Sequence, residues 1–194
     1  MKKAVFIDRD GVINKMVSIA GKYDSPKKAA HVVLVEGVVE VISWLNNKKI
    51  PVIEITNQPD FALGNYDWQT LGDIESRVHD LLNRAGVYID KIYQCFHHPN
   101  SIHPDLNINC DCRKPKSGLL IQAARELNLD LKHSVILGDN ATDMEAGKNV
   151  GCKTILFFHT YDIKEKVNVN KKYKADFKVY SHQGVIPILR KLFK

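Results

Sequence analysis

Val5-Phe6-Ile7-Asp8-Arg9-Asp10-Gly11-Val12 places two carboxylates, two residues apart, directly after a short apolar run. Ala4 to Ile7 reads as a buried strand, and Gly11 as the turn that ends it. Side chains alternate along an extended strand, so Asp8 and Asp10 are expected to point the same way just beyond its carboxyl end. Open α/β sheets bind their ligands in that crevice. Carboxylates held this close repel unless a cation, a shared proton or phosphorylation chemistry uses them. Taken by itself, the run also fits a plain polar turn after an edge strand.

Beyond it, strand and helix signals alternate to the end of the chain. Glu36 to Asn47 carries Val38, Val41, Ile42 and Leu45 at helical spacing, and Pro51 to Ile55 is a β-branched strand running into Thr56-Asn57-Gln58. Asp67–Arg84 reads as a long amphipathic helix with Gly86 past its end, and Ile89–Gln94 as a strand. Ser117–Leu127 reads as a helix capped by Ser117, Ser134–Leu137 as a strand meeting Gly138-Asp139, and Thr142–Lys148 as a short helix. Strands over Lys153–Phe158 and Ala175–Tyr180 and a helix over Gln183–Phe193 complete the pattern. Such alternation predicts a Rossmann-like α/β sandwich: a mostly parallel sheet between helices, in a single domain over residues 1–194. Residues 14–35 and 95–116 break the rhythm, and insertions of this kind sit over active sites in α/β enzymes.

Composition limits the function classes. The chain has 194 residues, 44% hydrophobic and 26% charged, as in a soluble globular protein with a sizeable core. No apolar run approaches the ~20 residues that span a bilayer. Lys2-Lys3 is followed by too few apolar residues for a signal-peptide core, so a cytoplasmic protein with no membrane partner is expected. The formal charge is +6. Its excess reads as scattered, densest at Lys164, Lys166, Lys171, Lys172 and Lys174, with no interleaved aromatics for stacking on nucleic acid. An anionic small substrate suits the positive field equally well.

Further chemistry sits at the other strand ends. Thr56-Asn57-Gln58 offers a hydroxyl, backbone N–H groups and amides suited to phosphoryl oxygens. Gly138-Asp139 adds a carboxylate, with Asp143 four residues on, and Lys114 lies just before a predicted helix. Each is weak alone: a polar loop, a common Gly-Asp pair, a solvated lysine. Together they supply what phosphoryl transfer needs, namely positioning and charge stabilisation. A carboxylate can also be the nucleophile.

Asp8-Arg9-Asp10-Gly11-Val12, the strand ending in Thr56, Lys114, and Gly138-Asp139 with Asp143, in that order, resemble the four motifs of the haloacid dehalogenase superfamily of phosphatases. The resemblance spans residues 4 to about 158 and implies a HAD-like fold without a large cap domain. It implies that Asp8 is the nucleophile and that Asp10 protonates the leaving alkoxide and then activates water. Thr56, Asn57 and Lys114 would hold the phosphoryl group. Mg²⁺ would be bound by Asp8, the carbonyl of Asp10 and Asp139, with Asp143 orienting rather than ligating.

The chain has four cysteines. Cys152 stands in an apolar context and reads as an inert core residue. Cys95-Phe96-His97 and Cys110-Asp111-Cys112 supply Cys₃His, a structural zinc set, although the one-residue spacing is tighter than the common two to four. A stable disulfide is not expected in a cytoplasmic protein. Cys-x-His with Cys-x-Cys-Arg-Lys-Pro, just before the third motif, resembles the zinc loop of the branch holding heptose-bisphosphate and histidinol-phosphate phosphatases. The resemblance implies a closed Zn²⁺ site in a loop over about 95–112, bound through Cys95, His97, Cys110 and Cys112, with His98 the competing imidazole.

Arg113 is suited to a bidentate pair with a second phosphate, which favours a sugar bisphosphate as the small phosphorylated partner and a heptose 1,7-bisphosphate over histidinol phosphate. Two departures bear on the substrate. The branch continues after Thr-Asn-Gln with small residues and an arginine, where this chain has Pro59-Asp60-Phe61-Ala62-Leu63-Gly64, and Asn140 stands where a lysine often follows the metal-binding aspartate. Another sugar phosphate or a 3′-phosphorylated polynucleotide end are the alternatives. A zinc-stabilised binding module is the non-enzymatic one. A monomer is expected.

Overall fold

The computed structural model describes residues 1–19, 21–159, 172 and 174–194. Alternate residues of the N-terminal run serve two different cores. Val5 and Ile7 pack into one apolar cluster, Ala4 and Phe6 into the other. A strand buried on both faces belongs in the middle of a parallel sheet. β1 (Val5–Ile7) accordingly lies between β4 (Val52–Asn57) and β6 (Val135–Gly138), parallel to both.

With β5 (Lys91–Cys95), β7 (Lys153–Phe157) and β8 (Phe177–Val179) the sheet has six strands in the order β5-β4-β1-β6-β7-β8. Every pairing in it is parallel. α1 (Val38–Asn47), α2 (Trp68–Arg84) and α5 (Val185–Leu192) pack on the Val5/Ile7 face. α3 (Gly118–Leu127) and α4 (Ala141–Asn149) cover the Ala4/Phe6 face. The chain runs outward from β1 to β4 and β5, then returns to β6 on the other side. That reversal opens a crevice at the carboxyl ends of β1, β4 and β6.

The predicted elements match to within two residues at each end. One local expectation fails. Ser117 precedes α3, but its hydroxyl donates to the Ala146 carbonyl at 2.8 Å and caps no helix N–H. It ties α3 to α4 instead. The first irregular stretch forms an antiparallel hairpin, β2 (Val17–Ile19) and β3 (Lys22–Asp24). The second is a loop with one short 3₁₀ turn at Pro104–Leu106. No described helix is long and apolar enough to cross a membrane. Of the basic run near the C-terminus, Lys164, Lys166 and Lys171 lie outside the described residues.

Candidate active site

The crevice is a cleft of about 590 Å³ lined by Asp8, Asp10, Thr56, Asn57, Arg113, Lys114 and Asp139, each of which had been singled out in the sequence. Asp8 leaves β1 with its N–H donating to Leu137 O at 3.0 Å. Lys114 Nζ reaches across from before α3 and stands 2.9 Å from Asp8 Oδ1 and 2.6 Å from Asp143 Oδ1, with a further bond to Ile55 O at 2.9 Å. Burial alone would lower the lysine's pKa, but Asp143 and Asp8 outweigh it and hold the ammonium above its ordinary value. Burial pushes Asp8 up to about 7, helped by the nearby Asp143 and Asp139 and opposed by Lys114.

Carboxylate oxygens of Asp8, Asp139 and Asp143 lie within 4.8 Å of one another, a donor set suited to a hard divalent cation. Asp143 is already committed. Its Oδ1 takes Lys114, and its Oδ2 accepts the Asn140 N–H at 2.9 Å in a capping box at the start of α4. Asp143 thus fixes Lys114 and the start of α4, and Asn140 has a capping role of its own. Asp139 has His159 Nε2 3.5 Å from its Oδ2.

Asp10 is held by side chains to which the sequence assigns no such part. Arg9, fully buried, donates through Nη2 to Asp10 Oδ2 at 3.0 Å and to Gln58 Oε1 at 2.6 Å. Gln58 Nε2 donates to Asp10 Oδ2 at 2.6 Å and to Thr56 Oγ1 at 2.8 Å, and Asn14 Nδ2 reaches Asp10 Oδ1 at 3.0 Å. Gln58 stood in the loop already picked out. Asn14, four residues after Asp10, is brought back to it by the turn after β1, whereas His159 carries no sequence signal because only the fold brings it to the site. The Asn57 amide is spent on the Lys114 backbone, accepting its N–H and donating to its carbonyl, both at 3.0 Å. Only its backbone is left for a phosphoryl group.

Cys95, His97, Cys110 and Cys112 converge on one point. Cys95 Sγ lies 3.6 Å from both Cys110 Sγ and His97 Nδ1, and Cys112 Sγ lies 3.2 Å from Cys95 Sγ and from His97 Nδ1. Ligands at about 2.3 Å for sulfur and about 2.0 Å for nitrogen around one tetrahedral zinc would be about 3.5 Å apart, so the four atoms fit such an ion. His98 lies outside the cluster, its Nδ1 accepting the Asn100 N–H at 3.1 Å. Cys152 is buried in the second core, where desolvation pushes its thiol up to about 12.

The cleft's outer wall comes from both irregular stretches. Arg113 stands on one side, its Nη1 on His97 O at 3.2 Å. Asp60, also in the lining, is only 6% exposed and accepts from Ser25 Oγ at 2.7 Å, Lys27 Nζ at 2.8 Å and Asn65 Nδ2 at 2.6 Å. Asp60, part of the stretch that departs from the branch's pattern, thus clasps the segment after the hairpin to the loop after β4.

Parallel sheet, strand-end carboxylates and buried lysine together define a phosphoryl-handling HAD-like hydrolase, and the HAD-hydrolase-like family model matches residues 111–175. A D-glycero-beta-D-manno-heptose-1,7-bisphosphate 7-phosphatase of Haemophilus ducreyi is 31% identical over 96% of this chain and 97% of its own. One of Mesorhizobium japonicum is 36% identical over 76% of this chain, which spans 65% of that relative's length. The D,D-heptose 1,7-bisphosphate phosphatase of B. bronchiseptica, solved in complex with magnesium and phosphate, superposes with a TM-score of 0.81 at 26% identity, covering 97% of this chain and 98% of that one. The chain belongs to the HAD hydrolases, in the family of these heptose-bisphosphate phosphatases.

Proposed function

We propose that the chain is a Mg²⁺-dependent phosphomonoesterase that removes the 7-phosphate of D-glycero-D-manno-heptose 1,7-bisphosphate through an aspartyl-phosphate on Asp8. The observation that carries this reading is Asp8 at the end of β1 with Lys114 Nζ 2.9 Å away and Asp139 beside it, in a chain aligned over 97% of a heptose-bisphosphate phosphatase.

An Asp8 carboxylate oxygen attacks phosphorus, and the ester oxygen departs with a proton from Asp10. Asp10 then takes a proton from water, whose oxygen attacks the same phosphorus. Inorganic phosphate leaves, and the Asp8 carboxylate is restored. Thr56 Oγ, the Asn57 N–H and Lys114 hold the phosphoryl oxygens, while Arg9, Asn14 and Gln58 fix the Asp10 side chain. Mg²⁺, held by Asp8, the Asp10 carbonyl and Asp139, supplies charge neutralisation at the phosphoryl group. Arg113 at the rim receives the second phosphate as a bidentate partner. Zn²⁺ bound by Cys95, His97, Cys110 and Cys112 closes the loop that leads into Arg113 and Lys114. The reading has the protein act as a monomer in the cytoplasm, where thiols stay reduced and available to the metal.

The test is phosphate release from heptose 1,7-bisphosphate, histidinol phosphate, other sugar phosphates and a 3′-phosphorylated oligonucleotide. The expected result is a kcat/KM for the heptose bisphosphate at least about tenfold above the others, a difference of about 1.4 kcal/mol. A histidinol phosphate or oligonucleotide preference overturns the substrate assignment and leaves the chemistry standing.

A further inference from the structure

At the opposite end of the sheet from the catalytic cleft, a groove of about 620 Å³ is lined by Lys2, Lys3, Lys48, Lys49 and Arg190 over Trp44 and Phe193, and by no acidic residue. The scattered charge of the sequence is gathered here by the fold. Lys2 and Lys3 precede β1, Lys48 and Lys49 follow α1, and Arg190 lies in the last turn of α5. Among the described residues none of the five cations has an acidic partner. Lys3 Nζ stands 6.0 Å from the centre of the Phe193 ring, and Trp44 and Phe193 pack from below on the main core.

Two features make the groove more than a solvated lysine face. Lys49 is held at φ +55°, a left-handed conformation that ends α1, with Ile50 N–H bonded to Leu45 O at 3.0 Å. Glycine is the usual residue there, and a lysine is strained. Helix C-terminal dipoles favour Lys48, Lys49 and Arg190, but Lys2 and Lys3 belong to no helix and add repulsion to a cluster that has no acidic partner, which the Lys3 contact with the Phe193 ring offsets only in part.

We propose that this groove is a second binding site, for a nucleoside di- or triphosphate. The cations take the phosphate chain, and Trp44 and Phe193 take the ring. Its size is that of a small-ligand pocket, about 300–1,000 Å³. A single-stranded nucleic acid would need a longer basic track, of about four or more nucleotides. The site is independent of the reading of the catalytic cleft.

Trp68→Phe leaves Trp44 as the only tryptophan of the two in the chain, so its emission reports on the groove. In Mg²⁺-free buffer, titration with ATP is expected to change that emission saturably, with half-saturation below about 1 mM. Tripolyphosphate binds at least about tenfold more weakly and adenosine alone does not register. Lys48→Glu with Arg190→Glu weakens ATP at least about tenfold while hydrolysis of an aryl phosphate is unchanged. Lys49→Gly weakens ATP and raises Tm, because it removes a charge and the backbone strain together. The proposal is overturned by no saturable change with ATP, by equal binding of ATP and tripolyphosphate, by an undiminished response in the charge-reversed variant, or by tighter binding of a single-stranded oligonucleotide than of ATP.

Discussion

Gly11 sits at φ +88°, and a Cβ placed on it would lie 2.4 Å from Asp139 Oδ2. Gly11→Ala must therefore strain the turn and push aside a carboxylate proposed to hold Mg²⁺. The expected outcome is a loss of about 10²-fold or more in kcat/KM, with a higher Mg²⁺ requirement, read from a Mg²⁺ titration of phosphate release. Glu54 on β4 is a second residue under tension. It is fully buried, neither carboxylate oxygen has a hydrogen-bond partner, and burial pushes it from 4.5 up to about 8 against the pull of Arg9. A carboxyl with a raised folded pKa binds its proton more tightly in the native state. Its stabilisation is complete below about pH 4.5 and lost as pH rises to about 8. Glu54→Gln should gain on the wild type across that window by up to about 1.4 kcal/mol per pH unit, measured by denaturant titration at several pH values. A pH-independent difference between the two proteins would show that Glu54 ionises normally.

At the scale of elements, the loop after β5 brings three thiols and an imidazole together beside the second core, and the proposed zinc would tie it down there. Cys112→Ser should leave the purified protein with less than stoichiometric zinc by elemental analysis and a Tm lowered by several degrees, at about 2–4 °C per kcal/mol lost. Arg113 and Lys114 follow directly, so kcat/KM should fall with the metal. Full activity in a zinc-free protein would contradict the structural role. The clasp between Lys27 and Asp60 makes a parallel case for the hairpin. Lys27→Ala leaves a buried carboxylate without its cation and should destabilise by about 1–3 kcal/mol, with KM for the sugar substrate rising more than kcat falls. Much of this was readable from the chain. Apolar runs ending in Asp8, Thr56 and Gly138-Asp139 mark strands buried on both faces, and their polar residues can only lie at the carboxyl end of the sheet. Cap chemistry was less readable, since Ser117 fits the pattern of a cap yet finds a better acceptor in Ala146 O, 29 residues away. Gln58's hold on Asp10, 48 residues away, and the approach of His159 to Asp139 escaped for the same reason, since no local pattern encodes contacts between distant segments.

Across the whole molecule, the parallel sheet puts its two ends to different uses. Carboxyl ends of β1, β4 and β6 bring Asp8, Thr56 and Asp139, the proposed nucleophile, phosphoryl ligand and Mg²⁺ ligand, into one cleft, and the two irregular stretches contribute to its lining. The amino ends gather cations that are far apart in the chain. Charge reversal in that basic groove should leave turnover in the cleft untouched, whereas any change to Asp8 should abolish it. The most direct measurement is acid-quenched single turnover followed by mass spectrometry of the peptide that contains Asp8. The wild-type protein should carry one phosphoryl group on Asp8 during turnover. Asp8→Asn should carry none and release no phosphate, while its Mg²⁺ binding is largely kept. Near-normal phosphate release by Asp8→Asn, or a phosphoryl group found on another residue, would contradict Asp8 as the nucleophile.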